Sequence, residues 1–223
     1  MKKLYIVGAG GFGREVLWLV NRINEKEKVW DIQGFIDDNK SLHGKTENDY
    51  KILGGCEYLK NLNEDVYVVI SIGSAKIKEK IAEKLKEYSN VHFATLIDPL
   101  VIMSEKVKIG EGTIICAGTI ITVNIEIGNH VIINLDCTVG HDSIIEDYAT
   151  ILPSVNLSGN TITKKYTTIG TGTKVIQGII IGENVIVGAG TVVIRDIEDN
   201  VTVVGNPARI VKKIYREFKQ WKK

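Results

Sequence analysis

Along residues 1–95 the apolar positions alternate between two periods. "KLYIVGA" is a short continuous apolar run, and "REVLWLVNRIN" then repeats its apolar residues at helical spacing. "IQGFIDD" and "DVYVVISIG" read as further strands, rich in Val and Ile. "SAKIKEKIAEKLKEY" reads as a charged amphipathic helix with Ser74 at its N-cap. "VHFATLI" closes a β-α-β pattern, which predicts a mostly parallel sheet covered by helices.

After about residue 97 the period becomes six. Stepping by six from Ile109 gives fifteen positions up to Val193, of which fourteen are aliphatic and only Thr163 departs. Four places beyond each of these stands Thr, Ile, Val, Cys, Ser or Ala. Gly follows the aliphatic directly at 110, 128, 140, 170, 182 and 188, where it is expected to permit the turn. No helix has this period, but a coil of three six-residue sides does, with each aliphatic pointing inward. The chain therefore divides into a Rossmann-like α/β unit over 1–96 and a parallel β-helix over 97–205, with a basic segment over 206–223 placed to cap the open coil.

Composition narrows the chemistry. Lys and Arg total 28 against 27 Asp and Glu, so no global field recruits nucleic acid or anionic lipid. No apolar run reaches the ~18–20 residues needed to span a bilayer. The opening "MKKLYIVGAGGFG" is interrupted by glycines and reads as a strand rather than a signal peptide. Cys56, Cys116 and Cys137 are odd in number and far apart, which points to reduced, structural thiols in the cytoplasm. His130 and His141 stand eleven residues apart with no third ligand cluster, so neither a metal site nor a β-helix carbonic anhydrase is expected.

Two loops and one pair of residues could carry function. Gly8, Gly10 and Gly13, with Gly11 between them, form G-x-G-x-x-G between a strand and a helix, where backbone N–H groups can approach phosphate. Asp37 and Asp38 end the second strand, placed to order a ribose or base. A dinucleotide, a nucleotide sugar and a pure packing role are the readings of this loop; about 95 residues is short for a full dinucleotide domain. Gly73 and Ser74 end the third strand and are expected to share the cleft, or to serve as a plain helix cap. In "INLDCTVGHDSIIEDY", residues 133–148, the inward rungs are Ile133, Val139 and Ile145, so His141 faces outward beside Asp142. Such a residue is a solvated surface histidine or a general base near neutral pH, with Asp142, Glu146 and Asp147 as orienting acids.

Taken together, "IVGAGGFGREV", "GFIDDNKSLHGK", "ISIGS", "VGHDSIIED", "GTGTKVIQGIIIGENVIVGAGTVV" and "VGNPAR" resemble the bacterial sugar acyltransferases. These join a nucleotide-binding Rossmann-like domain to a left-handed parallel β-helix of hexapeptide repeats. They include the NeuD-like sialic acid O-acetyltransferases and the nucleotide-amino-sugar N-acetyltransferases of surface polysaccharide biosynthesis. The resemblance implies the left hand, acetyl-CoA as co-substrate, a homotrimer and, after the "GNPAR" turn, a basic helix over 206–223. It makes His141 the base, with Asp142 paired to it, and makes the glycine loops and Asp37 and Asp38 the nucleotide-sugar site. It also puts Gly159, Gly178, Pro207 and Arg209 on elements that contact the cofactor. Thr163 and Lys164 replace the usual aliphatic–Gly pair, a local irregularity in the repeat. Sialic acid O-acetylation, serine acetylation, a nucleotide-sensing trimer scaffold and an NAD-dependent oxidoreductase are the alternatives to nucleotide-sugar acetylation.

Overall fold

The computed structural model describes residues 1–213 and contains two packed units. In the first, β1 (Lys2–Val7), α1 (Gly11–Lys26), β2 (Trp30–Ile36), β3 (Thr46–Glu47), β4 (Tyr50–Gly54), α2 (Glu57–Lys60), β5 (Val66–Ile70), α3 (Ala75–Lys86) and β6 (Val91–Phe93) follow in order. The sheet runs β3-β4-β2-β1-β5-β6 and is parallel except for the β3–β4 pair. β1 from Leu4 onward and β5, both interior strands, are almost wholly buried, as their Val/Ile/Leu/Tyr runs require.

From Leu96 the chain winds as a left-handed prism whose three faces are stacks of short parallel strands. The first face carries 96–97, 114–115, 132–133, 150–151, 168–169, 186–187 and 201–204. The second runs from 102–103 to 192–193, and the third from 107–109 to 180–181. Each strand pairs with the one eighteen residues on, as Ile115 with Ile133 and Val139 with Leu157, until the last coil, where the step shortens to sixteen between Ile186 and Thr202. From Ile115 to Val193 every sixth residue is nearly inaccessible and fills the axis. Thr163 obeys the rule sterically, but its buried hydroxyl has no hydrogen-bond partner.

The corners correct one expectation. Every sixth residue from Gly112 to Gly190 has positive φ, and these positions hold Gly, Asn, Asp, Ser, Tyr and His. The left-handed turn thus lies three places after the inward aliphatic, at a position where Asn and Asp are tolerated. The glycines directly after the aliphatic are needed for closeness: a β-carbon on Gly140 would lie 2.4 Å from the Gly159 nitrogen of the next coil.

The α/β unit covers the first face. Val16, Leu17 and Val20 of α1 share a core with Leu96, Ile114 and Ile132, and Arg22 pairs with the buried Asp98 at 2.6 Å. α3 lies on the corner between the third and first faces, where His130, Tyr148 and Tyr166 stack one coil apart. Glu79 accepts from Tyr166 at 2.5 Å, and the fully buried Lys78 donates to the Thr150 hydroxyl at 3.2 Å. At the far end Arg209–Lys213 is an exposed strand antiparallel to Val201–Val204, not the start of a helix. Residues 214–223 of the expected basic helix lie outside the described residues.

Candidate functional site

His141 and Asp142 sit on the corner between the second and third faces. This is the one corner to which the α/β unit makes no described contact, since α1 reaches Asp98 and α3 reaches Tyr148. Asp142 occupies the left-handed position, φ 59°, and its Oδ2 lies 2.8 Å from His141 Nδ1. Both side chains are about half exposed, so the ring is reachable from outside. The His141 hydrogen bond, and after it the Asn124 amide at 3.2 Å on Oδ1, hold the Asp142 carboxyl below its usual range. An ionised Asp142 accepts from Nδ1–H, which leaves Nε2 with a lone pair.

Gly159, one coil on, is the floor beneath the ring. A β-carbon there would come within 2.4 Å of His141 Nε2. The equivalent N–H groups of Glu111, Asn129 and Glu183 are taken by Asn or Asp side chains of the next coil. Among the described residues none takes the N–H of Gly159, beside the ring. Gly178 has φ +77°, faces open space, and donates its N–H to the Gly159 carbonyl at 3.0 Å. Continuing by eighteen from His141 passes Gly159 and Gln177 and reaches Arg195. Three coils at the usual strand spacing make a track of ~14 Å. It opens into a cavity of about 430 Å³ lined by Ile194, Arg195, Asp196, Ala208 and Arg209. Pro207 stands in the turn before Arg209, after a cis peptide bond. Arg195 escaped the motif reading, although a plain step of eighteen residues from His141 finds it.

The glycine loop builds a second cavity, also about 430 Å³, at the C-terminal edge of the sheet. Gly8, Asp37 and Asp38 line it with Ile36, Ile72 and Cys56, and α3 contributes Ile77, Lys80, Ile81 and Lys84. Gly10 and Gly11 are open to approach, while Gly13 packs so closely that a β-carbon would lie 2.0 Å from the Gly8 carbonyl oxygen. The two acids also brace the site: Asp37 accepts from the Ala9 and Asn39 N–H groups, and Asp38 accepts from Cys56 N–H at 2.8 Å. Lys80 and Lys84 carry no sequence motif; only their α3 phase, opposite the face that touches the prism, could have found them.

Gly73 and Ser74 do not join that cavity. The Thr150 hydroxyl donates to the Gly73 carbonyl at 2.9 Å and draws the loop towards the prism, where Ser74 lines a separate cleft with Tyr166 and Asn184. Ser74 is the N-cap residue of α3 by position, but its side chain makes no capping bond. Burial pushes the thiols up, Cys56 and Cys137 to about 11 and Cys116 to about 12, so all three are poor nucleophiles. Among the described residues no three His, Cys, Asp or Glu gather as a metal site, and no helix is long and apolar enough to cross a membrane.

A glycine-loop sheet joined to a hexapeptide prism with a His–Asp pair on its bare corner defines the class of hexapeptide-repeat acyltransferases. Residues 3–85 match the family described as the PglD N-terminal domain. The chain is 32% identical over 149 residues to GDP-perosamine N-acetyltransferase of Escherichia coli O157:H7, a stretch that spans 66% of each protein. Its fold is similar to WeeI from Acinetobacter baumannii AYE, at 34% identity and TM-score 0.86, over 95% of this chain and 100% of that one. It is also similar to a histidine-to-asparagine variant of perosamine N-acetyltransferase from Caulobacter crescentus, solved with CoA and GDP-perosamine. That likeness has 26% identity and TM-score 0.87, over 96% of this chain and 98% of that one. The chain belongs to this family of bacterial sugar acyltransferases, with a PglD-type domain before a left-handed β-helix.

Proposed function

We propose that the protein transfers acetyl from acetyl-CoA to the amine of a nucleotide-linked amino sugar, in the cytoplasm, with His141 as general base. The carrying observation is the His141–Asp142 pair at 2.8 Å, placed at one end of a bare corner that leads to Arg195 and Arg209. Relatives named as perosamine N-acetyltransferases, one bound to CoA and GDP-perosamine, support both co-substrates.

In this reading Nε2 takes the proton as the sugar amine attacks the thioester carbonyl. Asp142 keeps Nδ1 protonated and stabilises the imidazolium that forms. The Gly159 N–H donates to the oxyanion of the tetrahedral intermediate. Collapse breaks the C–S bond, and the imidazolium returns its proton to the departing thiolate. The thioester is already activated, so no acyl-enzyme is required. The pantetheine arm follows Gly159 and Gly178, and the CoA phosphates lie by Arg195, Pro207 and Arg209.

The nucleotide occupies the cavity of Gly8, Asp37 and Asp38, with the diphosphate towards Gly10 and Gly11. That cavity lies on the side of the prism away from His141, so the sugar of one copy reaches the histidine of another. A homotrimer provides this, and the exposed Ile120, Ile144 and Ile180 on the two uncovered faces give it apolar surface. The experiment is CoA release with GDP- and UDP-linked 4-amino sugars and with free sialic acid. The proposal expects release with a nucleotide amino sugar; release with sialic acid alone, or nucleotide binding with no release at all, contradicts it.

A further inference from the structure

The His–Asp pair is gripped from both neighbouring coils. Gly159 supports the ring on one side. On the other, Asn124 stands one coil before Asp142, in the same left-handed corner position with φ 57°, and its Nδ2 lies 3.2 Å from Asp142 Oδ1. The backbone reinforces this register, since Asp142 N–H donates to the Val123 carbonyl at 3.1 Å. A carboxylate only accepts, so the Asn124 amide must present its NH2 to it. One carboxylate oxygen is thereby assigned to His141 and the other to Asn124.

We infer that Asn124 is a positioning residue: it fixes the Asp142 carboxylate so that Oδ2 stays directed at His141 Nδ1. The inference rests on the reading of His141 as the base. The need for such a device follows from exposure. Asp142 is about half exposed and adjacent in sequence to the residue it orients, so without a second tether its carboxylate rotates freely into water. Among the described residues no other charged group pairs with His141 or Asp142. Similar side-chain bonds between successive corners occur elsewhere, such as Ser154 to Asp136 at 3.2 Å, so a purely structural ladder is the competing explanation.

Two substitutions separate the explanations. Asn124→Gly keeps the left-handed backbone without strain and removes the amide, whereas Ala there would add a backbone penalty. Asn124→Asp keeps the shape and adds negative charge. The first readout is the titration of the His141 ring in the free protein by NMR of 13C-labelled histidine, assigned by the signal lost in His141→Ala. The second is kcat and KM with acetyl-CoA and GDP-perosamine or another accepted nucleotide amino sugar.

Asn124→Gly is expected to move the ring's midpoint down and Asn124→Asp to move it up, as negative charge near an imidazolium dictates. Asn124→Gly is also expected to lower kcat ~3–10-fold, the net worth of one ordinary hydrogen bond, with KM for both substrates within twofold. Ser154→Gly, which cuts the comparable bond elsewhere, is expected to leave both readouts where they are. An unmoved ring titration in both Asn124 variants overturns the inference. Full turnover in His141→Ala overturns the base assignment instead, so the two failures are distinguishable.

Discussion

The imidazole of His141 lies flat against Gly159, so close that a β-carbon on the glycine would come within 2.4 Å of Nε2 and 2.6 Å of Cε1. Gly159 beneath the ring and Asp142 beside it, in its left-handed corner position, therefore act as one seat for the imidazole.

Gly159→Ala must push the ring off that seat. The expected result is a 10- to 100-fold fall in kcat, within the range for a misplaced base, with the thermal transition shifted by only a few degrees. Steady-state kinetics beside a melting curve measures both.

Arg195→Ala and Arg209→Ala test the CoA track. Each is expected to raise KM for acetyl-CoA about 5- to 20-fold with little change in kcat, because both line the cavity at the far end of the proposed path from His141. The double variant should also bind CoA weakly by calorimetry. An unchanged KM in the double variant would place the cofactor elsewhere.

Lys78 gives the fold a pH signature. Burial between α3 and the prism pushes its ammonium down to about 7 from an unfolded value near 10.5. Below pH 7 both states carry the charge, and the native state bears the full cost of burying it. Between pH 7 and 10.5 the unfolded chain binds the extra proton, so stability rises with pH. His130, pushed down to about 4 by burial, works in the same direction between pH 4 and 6.5. Lys78→Met is expected to gain ~1–3 kcal/mol at pH 6. It should also flatten the rise between pH 7 and 9 relative to the parent, measured by urea midpoints.

Arg22→Ala strands Asp98, whose side chain is fully buried against α1. A loss of stability is expected because the Asp98 carboxylate keeps only the Leu100 N–H at 2.8 Å, and Asp98→Asn should recover part of it in the double variant. Chemical denaturation of the four proteins completes the cycle.

Much of the prism was legible in the sequence, because a period of six has one steric solution and Ile115, Val139 and Leu157 obey it. The outward His141 followed from the same count. The turn geometry was less legible: Gly140 suggested where the corner lay, yet the left-handed residue is Asp142, and Gly140 serves close stacking instead. Gly8, Asp37 and Asp38 converge as strand order implied, whereas Gly73 was diverted by a hydrogen bond from Thr150, 77 residues away. No local pattern reports a bond of that range. Arg209–Lys213 had the composition of a basic helix, but pairing with Val201–Val204 made it a strand, a tertiary choice that propensity does not carry.

The most direct measurement of the account is CoA release by His141→Ala, with acetyl-CoA and the best nucleotide amino sugar, at matched oligomeric state and cofactor affinity. A 10²–10⁴-fold fall in kcat with KM for acetyl-CoA nearly unchanged is the predicted result. Turnover within a few-fold of the parent protein, in a folded assembly that still binds CoA, contradicts it.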